Sequence, residues 1–277
     1  MHSKFNIILF FTLSFFTFNL FAQKVKTIDL DKYFNGFQGG FKIYNFETET
    51  YTQYNDEQCK KRFSPCSTFK IPNSLIGIES GIITDTSFIL KYDSLLHPKT
   101  EDYLSRVPFK FWFHDLSLKR AFKYSCVWYY QELARKIGEG KMQTYLNLID
   151  YGNNDISSGI DNFWLSGSIE ISINEQVEFL KKLYLHKING FSDSSFNMVK
   201  SIMLYDSTSN YTLYAKTGTC DYLDKKVIAW FVGFVVTNSG TNIFALNLIV
   251  NSFDDLKNNI RLEMTKNILK KLKIIKQ

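Results

Sequence analysis

Nowhere in the 277 residues do two cysteines stand two residues apart, and His97, His114 and His186 are scattered singly along the chain. The four cysteines, Cys59, Cys66, Cys126 and Cys220, therefore fit neither a zinc site nor a dithiol redox motif, and no metal is expected. Blocks of like charge are also missing. A net charge of +6 is spread along the sequence, which is mild basicity without the stripe that nucleic-acid binding requires. Repeats, linkers and low-complexity tracts are absent too, and a composition of 45% hydrophobic and 17% aromatic residues excludes a disordered chain. In an oxidising compartment Cys59 and Cys66 can pair across a short loop; buried, inert thiols are the other reading.

What is present begins with residues 1–22, MHSKFNIILFFTLSFFTFNLFA, which read as an export signal. Lys4 supplies the charge, an aromatic-rich apolar run follows, and Ala22 closes it, so cleavage is expected before Gln23. A retained membrane anchor is the competing reading, but Asn6 and Asn19 shorten a run that should reach about 18 clean apolar residues. Loss of the leader removes one lysine and lowers the charge to +5. The expected product is a periplasmic catalytic domain, residues 23–277, without stable membrane association.

Within that domain, 37–46 (FQGGFKIYNF) and 50–55 (TYTQYN) alternate aromatic and β-branched residues around a polar turn, which predicts a β-hairpin. From about 67 to 205 the pattern is helical. VWYYQELARKIG (127–138) ends on a glycine, and SINEQVEFLKKLYLHK (172–187) opens with Ser172 and Glu175 at capping-box spacing. Strands return at 211–218, 227–237 and 242–250, the last two joined by Asn238, Ser239 and Gly240. Residues 255–276 have apolar positions at helical spacing with lysines between, so they should pack one face on the sheet; a membrane-surface role is the alternative.

Ser67 and Lys70 stand three apart, so on a helix they share a face and the amine can reach the hydroxyl. Alone, this is an N-cap serine followed by a solvated lysine. It changes weight with LYAKTGTC (213–220), because a K-T-G strand following an S-x-x-K helix is the pairing found in serine acyl-transferases that open β-lactams. Between the two, Ser125-Cys126-Val127 fills the slot that relatives fill with S-x-N or S-D-N. In chain order come Ser67-Thr68-Phe69-Lys70, Trp112 with Asp115, Ser125-Cys126-Val127, Tyr151-Gly152-Asn153, Phe163-Trp164-Leu165, Lys216-Thr217-Gly218, Trp230-Phe231-Val232-Gly233, and Arg261.

On these motifs the chain resembles a class D β-lactamase, an oxacillinase, over essentially everything after the leader. The resemblance implies a mixed α/β (α+β) serine β-lactamase-like fold: an antiparallel sheet flanked by terminal helices, with an inserted all-helical subdomain over roughly 67–205. It also implies hydrolysis of the β-lactam amide of penicillin-type antibiotics through a Ser67 acyl-enzyme, and hence resistance. Lys70, carboxylated by CO2 or bicarbonate to N6-carboxylysine, is the implied general base, held by the indole N–H of Trp164 and walled by Val127 and Leu165. No other cofactor is implied. The backbone N–H groups of Ser67 and Thr219 form the oxyanion hole, and Ser125 relays the proton. Lys216, Thr217, Gly218 and Arg261 receive the substrate, and Trp112 packs at the pocket rim. Tyr151-Gly152-Asn153 and Trp230–Gly233 read as structural.

The departures are Cys66 where many relatives carry alanine, Cys126 inside S-x-V, and a longer stretch between Leu90 and Trp112. No S-D-N and no E-x-x-L-N supplies a glutamate base. Two rivals remain: a sensor that acylates at Ser67 and stays acylated, and a penicillin-binding protein. The first would call for a transmembrane signalling region, the second for S-x-N in place of S-x-V. The expected partners are small-molecule β-lactams, and the protein is a monomer or homodimer.

Overall fold

The computed structural model describes residues 24–276, so the leader expected at 1–22 lies outside the described residues. A seven-stranded sheet is built from β1 (Val25–Thr27), β2 (Gln38–Asn45), β3 (Thr50–Tyr54), β4 (Leu204–Ser207), β5 (Tyr211–Asp221), β6 (Val227–Thr237) and β7 (Gly240–Val250), in the order β1-β3-β2-β7-β6-β5-β4. The expected β2–β3 hairpin forms, with Phe41 opposite Tyr54 and Asn45 opposite Thr50. One expectation is corrected. The sheet is antiparallel except at one edge, where β1 runs parallel to β3, because the chain passes through the short helix α1 (Asp31–Phe34) and β2 before reaching β3.

Strand periodicity explains why β6 and β7 are buried on both faces. Ile228, Trp230, Val232 and Phe234 point into one core, shared with the helical block. Ala229, Phe231 and Val235 point into a second core, closed by Leu30 and Phe34 at the N-terminal end and by Met264, Ile268 and Leu269 of the C-terminal helix. Each of the larger aliphatic or aromatic side chains here contributes about 1.5–3 kcal/mol by leaving water. The terminal helices thus cover one face, as expected.

The block between β3 and β4 supplies α2 (Lys70–Glu79), α3 (Val127–Ile137), α4 (Glu139–Ile149), α5 (Ile173–Tyr184) and α6 (Asp193–Ile202). It is not all-helical. Two short ladders stitch it, Arg62–Phe63 with Ile171–Ser172 and Ile89–Leu90 with Leu116–Ser117. The Ser172–Glu175 capping box is present at the start of α5, and Gly138 ends α3 with φ +77°. The C-terminal helix begins later than its periodicity predicts. Residues Phe253–Asn259 form a kinked 3-10 segment, and Asn258 and Asn259 take left-handed backbone that asparagine tolerates, so α7 runs Ile260–Lys271. That delay puts Arg261 in the first turn of α7.

Candidate active site

The loop before α2 makes a 3-10 turn over Cys66–Phe69, with Thr68 N and Oγ1 both donating to Pro65 O at 3.1 and 2.7 Å. Ser67 stays half-buried on this turn. Lys70 opens α2 at 0% exposure, and its Nζ lies 2.9 Å from Ser67 Oγ and 5.2 Å from the centroid of the Tyr130 ring. Burial lowers the Lys70 pKa to about 7. No ion pair among the described residues involves it, so at neutral pH a large share of the amine is uncharged.

Trp164 is fully buried and stacks on Phe69, with ring centroids 5.5 Å apart and planes at 18°. Its indole N–H has no hydrogen-bond partner among the described residues. An orphan donor of this kind costs about 1–3 kcal/mol and calls for an acceptor. Val127, at the head of α3, and Leu165 are half-buried and pack against the same core.

The opposite wall is β5. Strand β4 pairs with it only from Thr212 to Tyr214, so the edge from Lys216 onward is left to face the Ser67 turn. A Cβ at Gly218 would stand 2.7 Å from Pro65 O and 3.1 Å from Thr68 N, which is why only glycine fits where β5 meets that turn. Lys216 is 4% exposed and donates to Ser125 Oγ and Thr217 O, both at 3.0 Å. Burial, then Lys70 and Arg261, push its pKa well below the usual lysine range. Ser125 leaves the helical path at φ +55°, pinned by Ser125 N to Phe122 O and Cys126 N to Ala121 O. Arg261 Nη1 donates to Gly218 O at 3.0 Å and Thr219 Oγ1 at 2.7 Å; burial draws its pKa down to about 10, leaving it charged at neutral pH.

Ser67 and Lys70, Ser125 and Lys216, and Arg261 with Gly218 and Thr219 are thus brought into direct contact. Thr217 is half-buried beside Lys216. Trp112 is 9% exposed; its indole donates to Tyr124 O at 2.9 Å and so braces the Ser125 turn. Tyr151 is buried, and Gly152, at φ +59°, lets its backbone pass where a Cβ would stand 2.0 Å from Glu170 O.

One pairing is corrected. Cys66 is bonded to Cys220, not Cys59. Cys59 faces the β2–β3 hairpin, its thiol toward Tyr54 O at 3.4 Å, and stays free, as does buried Cys126. Sequence reading also missed Ser64, whose Oγ donates to Trp164 O at 3.0 Å and accepts from Ser166 N, while its carbonyl accepts from Trp230 Nε1 at 2.9 Å. No motif marks such a hub.

The model of the penicillin-binding protein transpeptidase domain matches residues 31–270. Beta-lactamase OXA-48 of Klebsiella pneumoniae is 39% identical over 238 residues, covering 86% of this chain and 84% of that protein. The methicillin resistance mecR1 protein of Staphylococcus aureus is 33% identical over 250 residues, 90% of this chain but only 40% of its own length. A class D β-lactamase from Sebaldella termitidis superposes with a TM-score of 0.81 at 31% identity, over 92% of this chain and all of its own. With the buried lysine against the serine and the K-T-G strand facing both, the chain belongs to the penicillin-binding protein transpeptidase family and, within it, to the class D β-lactamases.

Proposed function

We propose that the protein hydrolyses β-lactams through an acyl-enzyme on Ser67, with Lys70 in its N-carboxylated form. The observation that carries this is Lys70 Nζ, wholly buried and 2.9 Å from Ser67 Oγ, with no carboxylate among the charged groups of the described residues that shift its pKa. The residues fit the modification: near pH 7 about half of the amine is neutral, as attack on CO2 requires, and the orphan Trp164 N–H is a donor that an anion would satisfy. Carboxylated Lys70 supplies an anionic base that can take the Ser67 proton and later a proton from water.

The chain's own groups do the rest. Ser67 Oγ attacks the lactam carbonyl, and the Ser67 and Thr219 N–H groups receive the oxyanion, each such donor being worth about 3–4 kcal/mol. As the C–N bond breaks, Ser125 passes a proton to the leaving nitrogen, and Lys216, polarising Ser125 Oγ, keeps that hydroxyl acidic. Lys216, Thr217 and Arg261 hold the substrate carboxylate. Water releases the acyl group and restores Ser67.

Export of the mature chain from Gln23 is part of the same reading. The leader sequence supports it, as does a disulfide, which persists in oxidising compartments. No described helix is long and apolar enough to cross a membrane.

A steady-state panel of penicillins, oxacillin-type substrates and carbapenems in bicarbonate buffer tests the activity, and peptide mapping after a slow substrate should place the adduct on Ser67. Stoichiometric acylation without turnover would instead favour the sensor reading, which the mecR1 likeness keeps in view.

A further inference from the structure

We infer that the Cys66–Cys220 disulfide is a positioning element of the reaction, setting the spacing of the two backbone N–H groups that stabilise the oxyanion. The inference rests on the acyl-transfer reading above. Cys66 directly precedes Ser67 and Cys220 directly follows Thr219, so the bridge joins the two donor-bearing segments one residue from each donor. These segments lie 154 residues apart in sequence, on different elements, with the two cysteine Cα atoms 5.7 Å apart.

Non-covalent ties flank this point: Ser166 links the two segments, its N–H donating to Ser64 Oγ at 3.1 Å and its Oγ to Asp221 O at 2.9 Å. The β5 edge beyond Tyr214 has no strand on this side, and Gly218 packs closely against the Ser67 turn. Arg261 holds β5 from the α7 side, and Trp230 holds Ser64, three residues before Ser67. The bridge is the covalent tie at the level of the donors. Cys66 also sits at φ +50°, a left-handed conformation that an L-residue adopts only when its surroundings impose it. That backbone angle orients the peptide whose N–H belongs to Ser67. With Cys66 wholly buried and Cys220 half-exposed, the bridge reaches from the core to the pocket wall.

Oxyanion donors act within a narrow range of 2.7–3.1 Å from the developing charge, and a misplacement of about 1 Å can cost a hundredfold in rate. A bridge that merely closed a long loop would raise stability by constraining the unfolded chain and leave the folded site unchanged. The two roles therefore separate in measurements on folded protein.

The test compares oxidised enzyme, enzyme reduced with a phosphine and blocked at the two released thiols, and the Cys66→Ala/Cys220→Ala variant, all in bicarbonate buffer at temperatures well below unfolding. Single-turnover acylation should slow by about ten- to a hundredfold without the bridge. The infrared carbonyl stretch of the acyl-enzyme formed with a slowly hydrolysed β-lactam should move to higher frequency or split, because the ester oxygen receives weaker hydrogen bonds. Should the double variant fail to fold, the reduced wild type carries the comparison, and should reduction be incomplete, the variant does. Unchanged acylation and an unchanged carbonyl band, with only a lower Tm, would overturn the inference. Oxidised enzyme that opens no β-lactam would sink the activity itself, a separate failure.

Discussion

Lys216 Nζ stands 3.0 Å from Ser125 Oγ, joining two residues 91 positions apart across the mouth of the site. Both are shaped for that contact: Ser125 by a left-handed turn that Trp112 braces through Tyr124, and Lys216 by a strand edge that faces the Ser67 turn. Lys216 is buried near Lys70 and Arg261, and no acid forms a salt bridge with it among the described residues. On the proposed reading, this cluster of basic side chains would receive the carboxylate of a β-lactam substrate.

Ser125→Ala should therefore slow acylation by about 10²–10⁴-fold, the usual worth of a positioned proton-transfer group. Stopped-flow acylation with a chromogenic β-lactam measures it. A loss of less than threefold would remove Ser125 from the proton path.

Arg261→Ala should reduce kcat/KM for carboxylate-bearing β-lactams by roughly ten- to a hundredfold, since one charge-assisted pair is worth about 1.5–3 kcal/mol. Arg261→Lys should recover only part, because the ammonium cannot reproduce the fork that also reaches Gly218 O and Thr219 Oγ1. Unchanged kinetics for Arg261→Ala would move the carboxylate contact to Lys216 alone.

The sequence made most of this site readable because its chemistry sits in short ordered motifs, and because β6, β7 and the capped α5 carry strong local patterns. What escaped it was long-range. The Cys66–Cys220 bridge escaped the sequence reading because chain proximity offered only Cys59 as a partner, with buried free thiols as the alternative. Yet each partner adjoins a motif residue, Ser67 or Thr219, and the requirement that those motifs face each other was the available signal. The parallel edge strand β1 is too short to show alternation. The late start of α7 depended on two asparagines at positive φ, which apolar periodicity does not register.

Trp164→Phe keeps an aromatic ring on Phe69 but removes the unpartnered N–H. The bicarbonate concentration giving half-maximal activity should rise roughly ten- to a hundredfold, matching the loss of one hydrogen bond to an anion. Titration of activity with bicarbonate at fixed pH checks this. An unaltered midpoint would mean the indole donates elsewhere.

Lys70 makes the sharpest prediction. Its folded pKa, lowered to about 7 by burial, means that below that pH the amine is mostly protonated and cannot attack CO2. Carboxylation converts the ammonium into an anion with release of two protons in all, so activity should rise steeply as pH increases through the transition. At fixed dissolved CO2 the transition should move to lower pH, by about half a unit for each tenfold rise in CO2, as linkage requires for a reaction releasing two protons per CO2 bound. The lowered pKa also acts on stability, with the sign set by burial of a cation. The unmodified folded state, poor at holding the proton, is penalised most below about pH 7 and progressively less as pH rises toward the unfolded value near 10.5. Lys70→Ala should accordingly lose turnover while any Ser67 acyl-enzyme persists, and removing the buried amine should help stability more at pH 6 than at pH 9. Activity indifferent to bicarbonate between pH 5.5 and 7.5, with no carbamate signal from carbon-13-labelled bicarbonate, would make Lys70 a free-amine base instead.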